Sequence, residues 1–499
     1  MDRYEKIRQY RQETMALMEA GALLGWDLEV MMPAKGMKAR SAQTAMIARL
    51  IHNRETAPDF YAHINEALEK ETLSERRRRN LLVLKEEIEK AQKLPTDFVE
   101  EMERLVAESF KAWHTARKRS DFSIFQPYLE KIVAKNREKA ELLGYQHHPY
   151  EALIDAFDRQ TTVPFLDRVF SEVKEKLTPL AQTLIERFSE PLSWPDGMTF
   201  PEDKQIALGW QVLKEIGFSP EVLRLDQAPH PFCTSIGPND MRITTKVDPA
   251  NFTTALFSTM HEMGHAWYDF HALQDEDYGL PSSYAASLSI HESQSLFWEK
   301  YVGKSMSFLE SHFDDLVSYF PELSRLSPMD VFMRVNRVYP QPIRIEADEV
   351  TYHYHIIVRY ELEKELIEGS LAVKDLPEAW NARYRQYLGL DIANDAEGVL
   401  QDIHWSHGTL GYFPTYSLGA FYAAQFYATM KQSLDVAGLI RQRNFGPILE
   451  WLKTNIHQHG ALYPSSELCE RVTGKPLSLD HYLSYIREKY RHVLPVAAS

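Results

Sequence analysis

The 499 residues are 44% hydrophobic and 25% charged, with a formal charge of −15, a composition that can bury a large core and that disfavours nucleic-acid backbones or anionic membranes as main partners. Two widely separated cysteines, Cys233 and Cys469, argue against a disulfide framework and for a reducing compartment. The N-terminal MDRYEKIRQYRQETM is charged where a signal peptide needs an apolar run, and no stretch approaches the roughly 20 apolar residues of a membrane span; a cytoplasmic location is expected.

Three- and four-residue apolar spacing predicts helices over 2–20, 41–53, 60–94, 97–118 and 126–143. The four-arginine run 76–79 reads as a solvated helix face answered by Glu86, Glu87 and Glu89, or as an anion patch. Phe165, Leu166, Val169, Phe170, Val173 and Leu177 mark another helix, which Pro179 should kink or end. The segment 190–201, EPLSWPDGMTFP, is a domain boundary or a long surface loop. A helix over 202–216 follows, then the turn-like GPND (237–240) and the best strand signal, MRITTKV (241–247). Val350, Tyr354, Ile357, Val358, Tyr360 and Leu362 form a long helical pattern that Gly369 should stop. No repeat of 20–50 residues is visible.

The chemistry concentrates in 253–272, TTALFSTMHEMGHAWYDFHA. His261 and His265 are four apart and so share one helical face, where two imidazoles can hold one metal. Glu262 points off that axis, towards a water beside the metal rather than the metal itself. Glu292, in the later segment SIHESQS, is the candidate third ligand of a His2Glu zinc site that leaves a fourth position for water. His291 competes with Glu292, since adjacent helical residues point about 100° apart and both cannot ligate. Asp269 either accepts the N–H of a ligand imidazole or is an exposed helix carboxylate.

Several segments together resemble one family. HEMGH (261–265), HESQS (291–295), DMRIT (240–244), IRIEAD (343–348) and GVLQDIHW (398–405) are similar to the signature segments of the M32 thermostable metallocarboxypeptidases, the carboxypeptidase Taq-like enzymes, and Trp26-Asp27 with Met32-Pro33 is similar as well. The resemblance spans essentially the whole chain. It implies a mainly α-helical HExxH zinc peptidase with a deep groove, a small β-sheet beside the zinc helix, and a homodimer. One catalytic domain, 1–499, is implied, with an N-terminal helical part (1–190) covering the groove and the zinc site in 202–499. The implied activity is removal of single C-terminal residues from peptides with broad preference, with zinc, or cobalt in its place, as cofactor.

A carboxypeptidase must also recognise a free carboxylate, which suits the planar fork of arginine. Arg344 in IRIEAD is the first candidate and Arg242 the second; the bland alternatives are ion pairs of Arg344 with Asp348 and of Arg242 with Asp240. The segment 401–416, QDIHWSHGTLGYFPTY, lacks helical periodicity and reads as an active-site loop. In it His404 is a donor to substrate or oxyanion, and Tyr412 or Tyr416 a second oxyanion donor; core packing is the alternative for either tyrosine. MRITTKV reads as an edge strand able to pair with an extended substrate. Two other functions fit parts of this pattern: a zinc oligopeptidase cutting internal bonds of short peptides, and a peptide-binding scaffold with a structural metal. The intact Glu262 argues against the scaffold.

Overall fold

The structure, a computed structural model, describes residues 2–188 and 193–494. The fold is mainly helical, with one three-stranded sheet among the described residues. No described helix is long and apolar enough to cross a membrane. Backbone contacts gather the chain into two compact units, each assembled from three stretches. The first comprises Met1–Ala91, Ser193–Val335 and Gln425–Pro476; the second comprises Gln92–Leu192, Asn336–Ala424 and Leu477–Ser499. The change of unit near residue 193 falls in the segment 190–201, whose first residues, 190–192, lie outside the described ones.

In the first unit the chain opens with the helices Arg3–Val30, Met37–Glu55, Pro58–Lys70 and Glu75–Gln92. Tyr4, Ile7, Phe60, Ile64, Leu81, Leu84 and Ile88 are buried together beneath them. The single helix expected over 60–94 is two helices, because Ser74 turns its hydroxyl onto the Arg77 amide and starts a new one. The arginine run does not pair with Glu86, Glu87 and Glu89, which lie about 15 Å further along the same helix. Its partners are other acids: Arg76 meets Asp275, Arg77 meets Glu5 at 3.2 Å, and Arg79 meets Glu75, one turn back on the same helix, at 2.7 Å and Glu467 at 3.4 Å.

The sheet contains β1 (Leu223–Gln227), β2 (Cys233–Gly237) and β3 (Asp240–Thr245) in the order β1-β3-β2, with β1 parallel and β2 antiparallel to β3. The MRITT strand is therefore central, not an edge. Its amides and carbonyls are taken on both sides, so β3 has no free edge for a substrate; local alternation could not reveal a partner strand as short and polar as Cys233–Gly237.

The HExxH helix runs Phe252–Leu273, its first turn capped by the Asn251 side chain on the Thr253 amide. Trp194, from the proline-rich segment, donates its indole N–H to the same Asn251 at 3.0 Å. Thr245 of β3 donates to the Ala255 carbonyl at 3.0 Å and shares a 2.8 Å hydrogen bond with Ser258, which ties the sheet to this helix. The helix Leu288–Leu296 begins at a Ser287 cap. It presents buried Ser289, Ser293, Gln294 and Ser295, side chains that leave room for a close neighbour.

In the second unit, Pro179 neither kinks nor ends its helix. Val163–Glu172 passes through a π-helical turn, Val173–Leu177, into Thr178–Arg187, and Pro179 sits in the first turn of that last piece, where its missing N–H costs little. The helix Tyr352–Glu368 ends at Gly369 in the left-handed conformation, as expected.

Gly264, inside the HExxH motif, is where this helix passes closest to the helix Leu288–Leu296. A Cβ there would stand 2.5 Å from the Gln294 carbonyl oxygen and 2.6 Å from Ser295 Cα. Helix propensity alone predicts that Gly264→Ala stabilises the helix by about 1 kcal/mol. The backbone clash reverses the sign: overpacking of this kind costs about 1–3 kcal/mol. We expect the variant to melt at lower temperature and to hold substoichiometric metal. Thermal unfolding and metal analysis check both, and an unchanged or raised melting temperature would show that the helices are free to separate.

Candidate metal centre and the Arg344 cluster

The close approach at Gly264 sets three side chains face to face. His261 Nε2 lies 3.6 Å and His265 Nε2 3.5 Å from the same Glu292 oxygen, Oε2. All three ligand atoms fall within 4.8 Å of one another, the only such group of three or more among the described residues. A divalent metal about 2.1 Å from tetrahedral ligands needs ligand–ligand separations of about 3.4 Å, so this donor set fits one with little adjustment. Glu292, not His291, is the third member. His291 turns away and bonds Asp269 through Nε2 at 2.9 Å, its ring stacked 4.3 Å from that of His265. Asp269 therefore reaches neither ligand imidazole. Its other oxygen accepts from Ser235 at 3.3 Å, and it acts by holding His291 out of the ligand set.

The carboxylate that does orient a candidate ligand is Glu299, which meets His261 Nδ1 at 3.0 Å. Glu299 lies on the π-helical turn Phe297–Gly303 that continues the Glu292 helix. A partner of this kind fixes the tautomer and the ring plane of a metal-binding imidazole. The signal was present in the sequence, since Glu299 follows Glu292 by seven residues, two helical turns on the same face. Lys300 and Lys304, 2.7 and 2.8 Å away, keep Glu299 ionised despite its burial.

Burial alone would hold both imidazoles neutral. The carboxylates of Glu292, Glu262 and Glu299 instead raise His261 to about 9, while burial and His291 leave His265 at about 4. Burial pushes the Glu262 carboxyl up to about 7, where a base can both take and return a proton. Glu262 is 7% exposed, and no hydrogen bond to its carboxylate occurs among the described residues.

Arg242 packs 4.3 Å over the Trp26 ring and makes a two-pronged pair with Asp240, 2.9 Å at each contact. Its fork is thus occupied as the bland alternative required.

In the second unit a different polar cluster surrounds Arg344, which is buried. Its Nε donates to Asp402 at 2.9 Å, its Nη1 to the Tyr352 hydroxyl at 2.7 Å, and its backbone N–H to Gln401 Oε1 at 2.9 Å. Asp348 is not its partner. The backbone is extended at Ala347, which cancels the one-turn spacing. Asp348 instead caps the next helix, accepting from the Val350 and Thr351 amides at 2.9 Å.

His404 Nε2 stands 3.4 Å from the Tyr416 hydroxyl, and its ring is 5.0 Å from that of Tyr412. Burial and the neighbouring guanidiniums hold His404 neutral, at about 3. The structure thus brings His404, Tyr412, Tyr416 and Arg344 into one cluster, the guanidinium of Arg344 lying 5.0 Å over the Tyr416 ring. Buried Glu363 ties down the loop that carries them. Its carboxylate accepts from the Trp405 indole at 2.6 Å, the Gly411 amide at 2.9 Å and the Tyr150 hydroxyl.

Residues 6–490 match the family described as Carboxypeptidase Taq (M32) metallopeptidase. The chain belongs to the M32 family of metallocarboxypeptidases. It is 36% identical to thermostable carboxypeptidase 1 of Pyrococcus furiosus over 488 residues, 97% of each chain. It is also 36% identical to carboxypeptidase 1 of Bacillus subtilis over 478 residues, 95% of each. Its fold is similar to the crystal structure of the M32 carboxypeptidase from Deinococcus radiodurans R1, with a TM-score of 0.94, 35% identity, and coverage of 98% of this chain and 99% of that one. The protein is therefore a metallocarboxypeptidase, and peptides are its substrate class.

Three candidate protein ligands would leave an M32 enzyme little redundancy in its metal site. Glu292→Ala should lose most bound metal, whereas His291→Ala should keep it, because His291 is engaged by Asp269. Metal content after dialysis separates the two; full occupancy in Glu292→Ala with loss in His291→Ala would reverse the assignment.

Proposed function

We propose that this protein is a zinc carboxypeptidase that releases single C-terminal residues from peptides with broad preference. The observation that carries the reading is the convergence of His261, His265 and Glu292 with the unbonded carboxylate of Glu262 beside them. Two imidazoles and one carboxylate are the usual ligands of a hydrolytic zinc, and zinc held there would polarise the scissile carbonyl and make water nucleophilic near neutral pH. Cobalt suits the same donors.

The remaining roles fall to the chain's own groups. A carboxylate oxygen of Glu262 takes the proton of the attacking water and hands it to the leaving amine. Donors are needed where negative charge develops on the carbonyl oxygen. His404, neutral and so able to carry one ring N–H, and the hydroxyls of Tyr412 and Tyr416 are the proposed donors. Arg344 is proposed to receive the free C-terminal carboxylate, since its Nη2 makes no hydrogen bond among the described residues while the rest of its fork is anchored. Arg242, paired on both prongs with Asp240, is the weaker candidate. We also propose a homodimer: the helix Met37–Glu55 has no buried residue and exposes Met37, Met46 and Leu50, and a monomeric sedimentation coefficient at micromolar concentration would exclude it.

Two variants test the mechanism. Glu262→Gln should retain metal and lose turnover by about 10²–10⁴-fold or more, because the amide keeps the shape but cannot accept the proton. Near-normal kcat in the metal-loaded variant would remove Glu262 from the reaction. Arg344→Ala should retain metal and lose about 2–5 kcal/mol in kcat/KM, by analogy with truncating one partner of a buried charge pair. It should also lose most of the wild-type preference for a peptide acid over its C-terminal amide. A folded, metal-loaded Arg344→Ala with unchanged preference would assign the carboxylate to another group.

A further inference from the structure

Arg344 does not hold its place alone. Asp402 is shared: one oxygen accepts from Arg344 Nε at 2.9 Å, the other from Arg359 Nε at 2.6 Å. Gln401 is shared in the same way. Its Oε1 accepts from the Arg344 backbone amide and from Arg359 Nη2, each at 2.9 Å, and its Nε2 donates to the Pro342 and Glu397 carbonyls at 3.0 and 2.7 Å.

The two guanidiniums are not equivalent. Arg359 is 0% exposed, in the helix Tyr352–Glu368. Every nitrogen of its fork is bonded, Nη1 to the His355 carbonyl at 2.7 Å and the Tyr384 hydroxyl at 3.3 Å, and it lies 4.6 Å over the Trp380 ring. Arg344 keeps Nη2 without a hydrogen bond among the described residues. One arginine is fully anchored; the other is anchored on one side and open on the other.

Arg344 already supplies one positive charge to Asp402, and a second buried guanidinium is costly unless an anion completes the set. Asp402 sits well below the usual carboxylate range: burial opposes ionisation, but the two arginines outweigh it. Glu363, whose charge also reaches Arg359, spends its oxygens on Tyr150, Trp405 and Gly411. Arg359 is thus the inner, fully bonded guanidinium of the pair, and Arg344 the one with an open edge.

We infer that Arg359 is a positioning residue for the carboxylate receptor: through Asp402 and Gln401 it fixes the Arg344 side chain and backbone so that the open Nη2 edge meets the free C-terminus of the substrate. The inference rests on the assignment of Arg344 proposed above. Arg359 itself, with no free donor, does not touch substrate.

The test is the ratio of kcat/KM for a blocked dipeptide acid to that for its matched C-terminal amide. The ratio is measured within one preparation of metal-loaded enzyme, so any inactive fraction cancels. Arg359→Met should lower this ratio at least tenfold, chiefly through KM for the acid. Arg359→Lys keeps a charge on Asp402, and so protects the fold, but cannot bridge Asp402 and Gln401 with a planar fork; it should lower the ratio several-fold. Arg344→Ala combined with Arg359→Met should lose no more selectivity than Arg344→Ala alone, because both act on one contact. A wild-type ratio in either folded Arg359 variant, while Arg344→Ala has lost its selectivity, overturns the positioning role. A wild-type ratio in Arg344→Ala itself overturns the earlier assignment instead.

Discussion

Two helix backbones pass closer than ordinary side chains allow, and the candidate metal site depends on that distance. The imidazoles of His261 and His265 reach about as far as the Glu292 carboxylate only because Gly264 presses against the peptide of Gln294 and Ser295. Serines and a glutamine line the facing surface for the same reason. Everything that supports the site works through this seam: the Asn251 and Ser287 caps start the two helices, the central strand is bonded to one of them, and the π-helical turn after the other brings Glu299 under His261.

The chain spends much buried polarity around a few groups whose directions matter. Glu299 is held by two lysines and in turn holds His261; Asp269 holds His291 out of the ligand set; Asp402 and Gln401 link Arg344 to Arg359. Each is a buried or half-buried polar group with its partners in place, the condition under which burial of charge rigidifies rather than destabilises. Apolar packing would make an equally stable core, but it would not aim a guanidinium or select an imidazole tautomer.

Tertiary structure overrode local reading where partners come from distant segments. The arginines at 76, 77 and 79 find acids from both ends of the first unit, with Glu75 the one partner on their own helix, and Pro179 is absorbed by a π turn. The MRITT strand looked like an edge because its antiparallel partner carries a weak strand signal. The extended backbone at Ala347 separates Arg344 from Asp348, a pair that regular helical spacing would have joined.

What the sequence by itself determined is what depends on neighbours along the chain. Helical periodicity set the fold class, and the four-residue spacing of His261 and His265 put two imidazoles on one face with Glu262 beside them, because rise and turn per residue are constants of the helix. The ordered motif segments identified the family, and Glu292 with them. The tertiary structure alone gave His291 to Asp269, supplied Glu299 as the partner of His261, and gave Arg344 to Asp402 and Gln401 with Arg359 behind them. Those choices join residues 22 to 58 positions apart, where no repeat of φ and ψ carries information; they are settled by which buried polar groups can satisfy one another once the helices have packed.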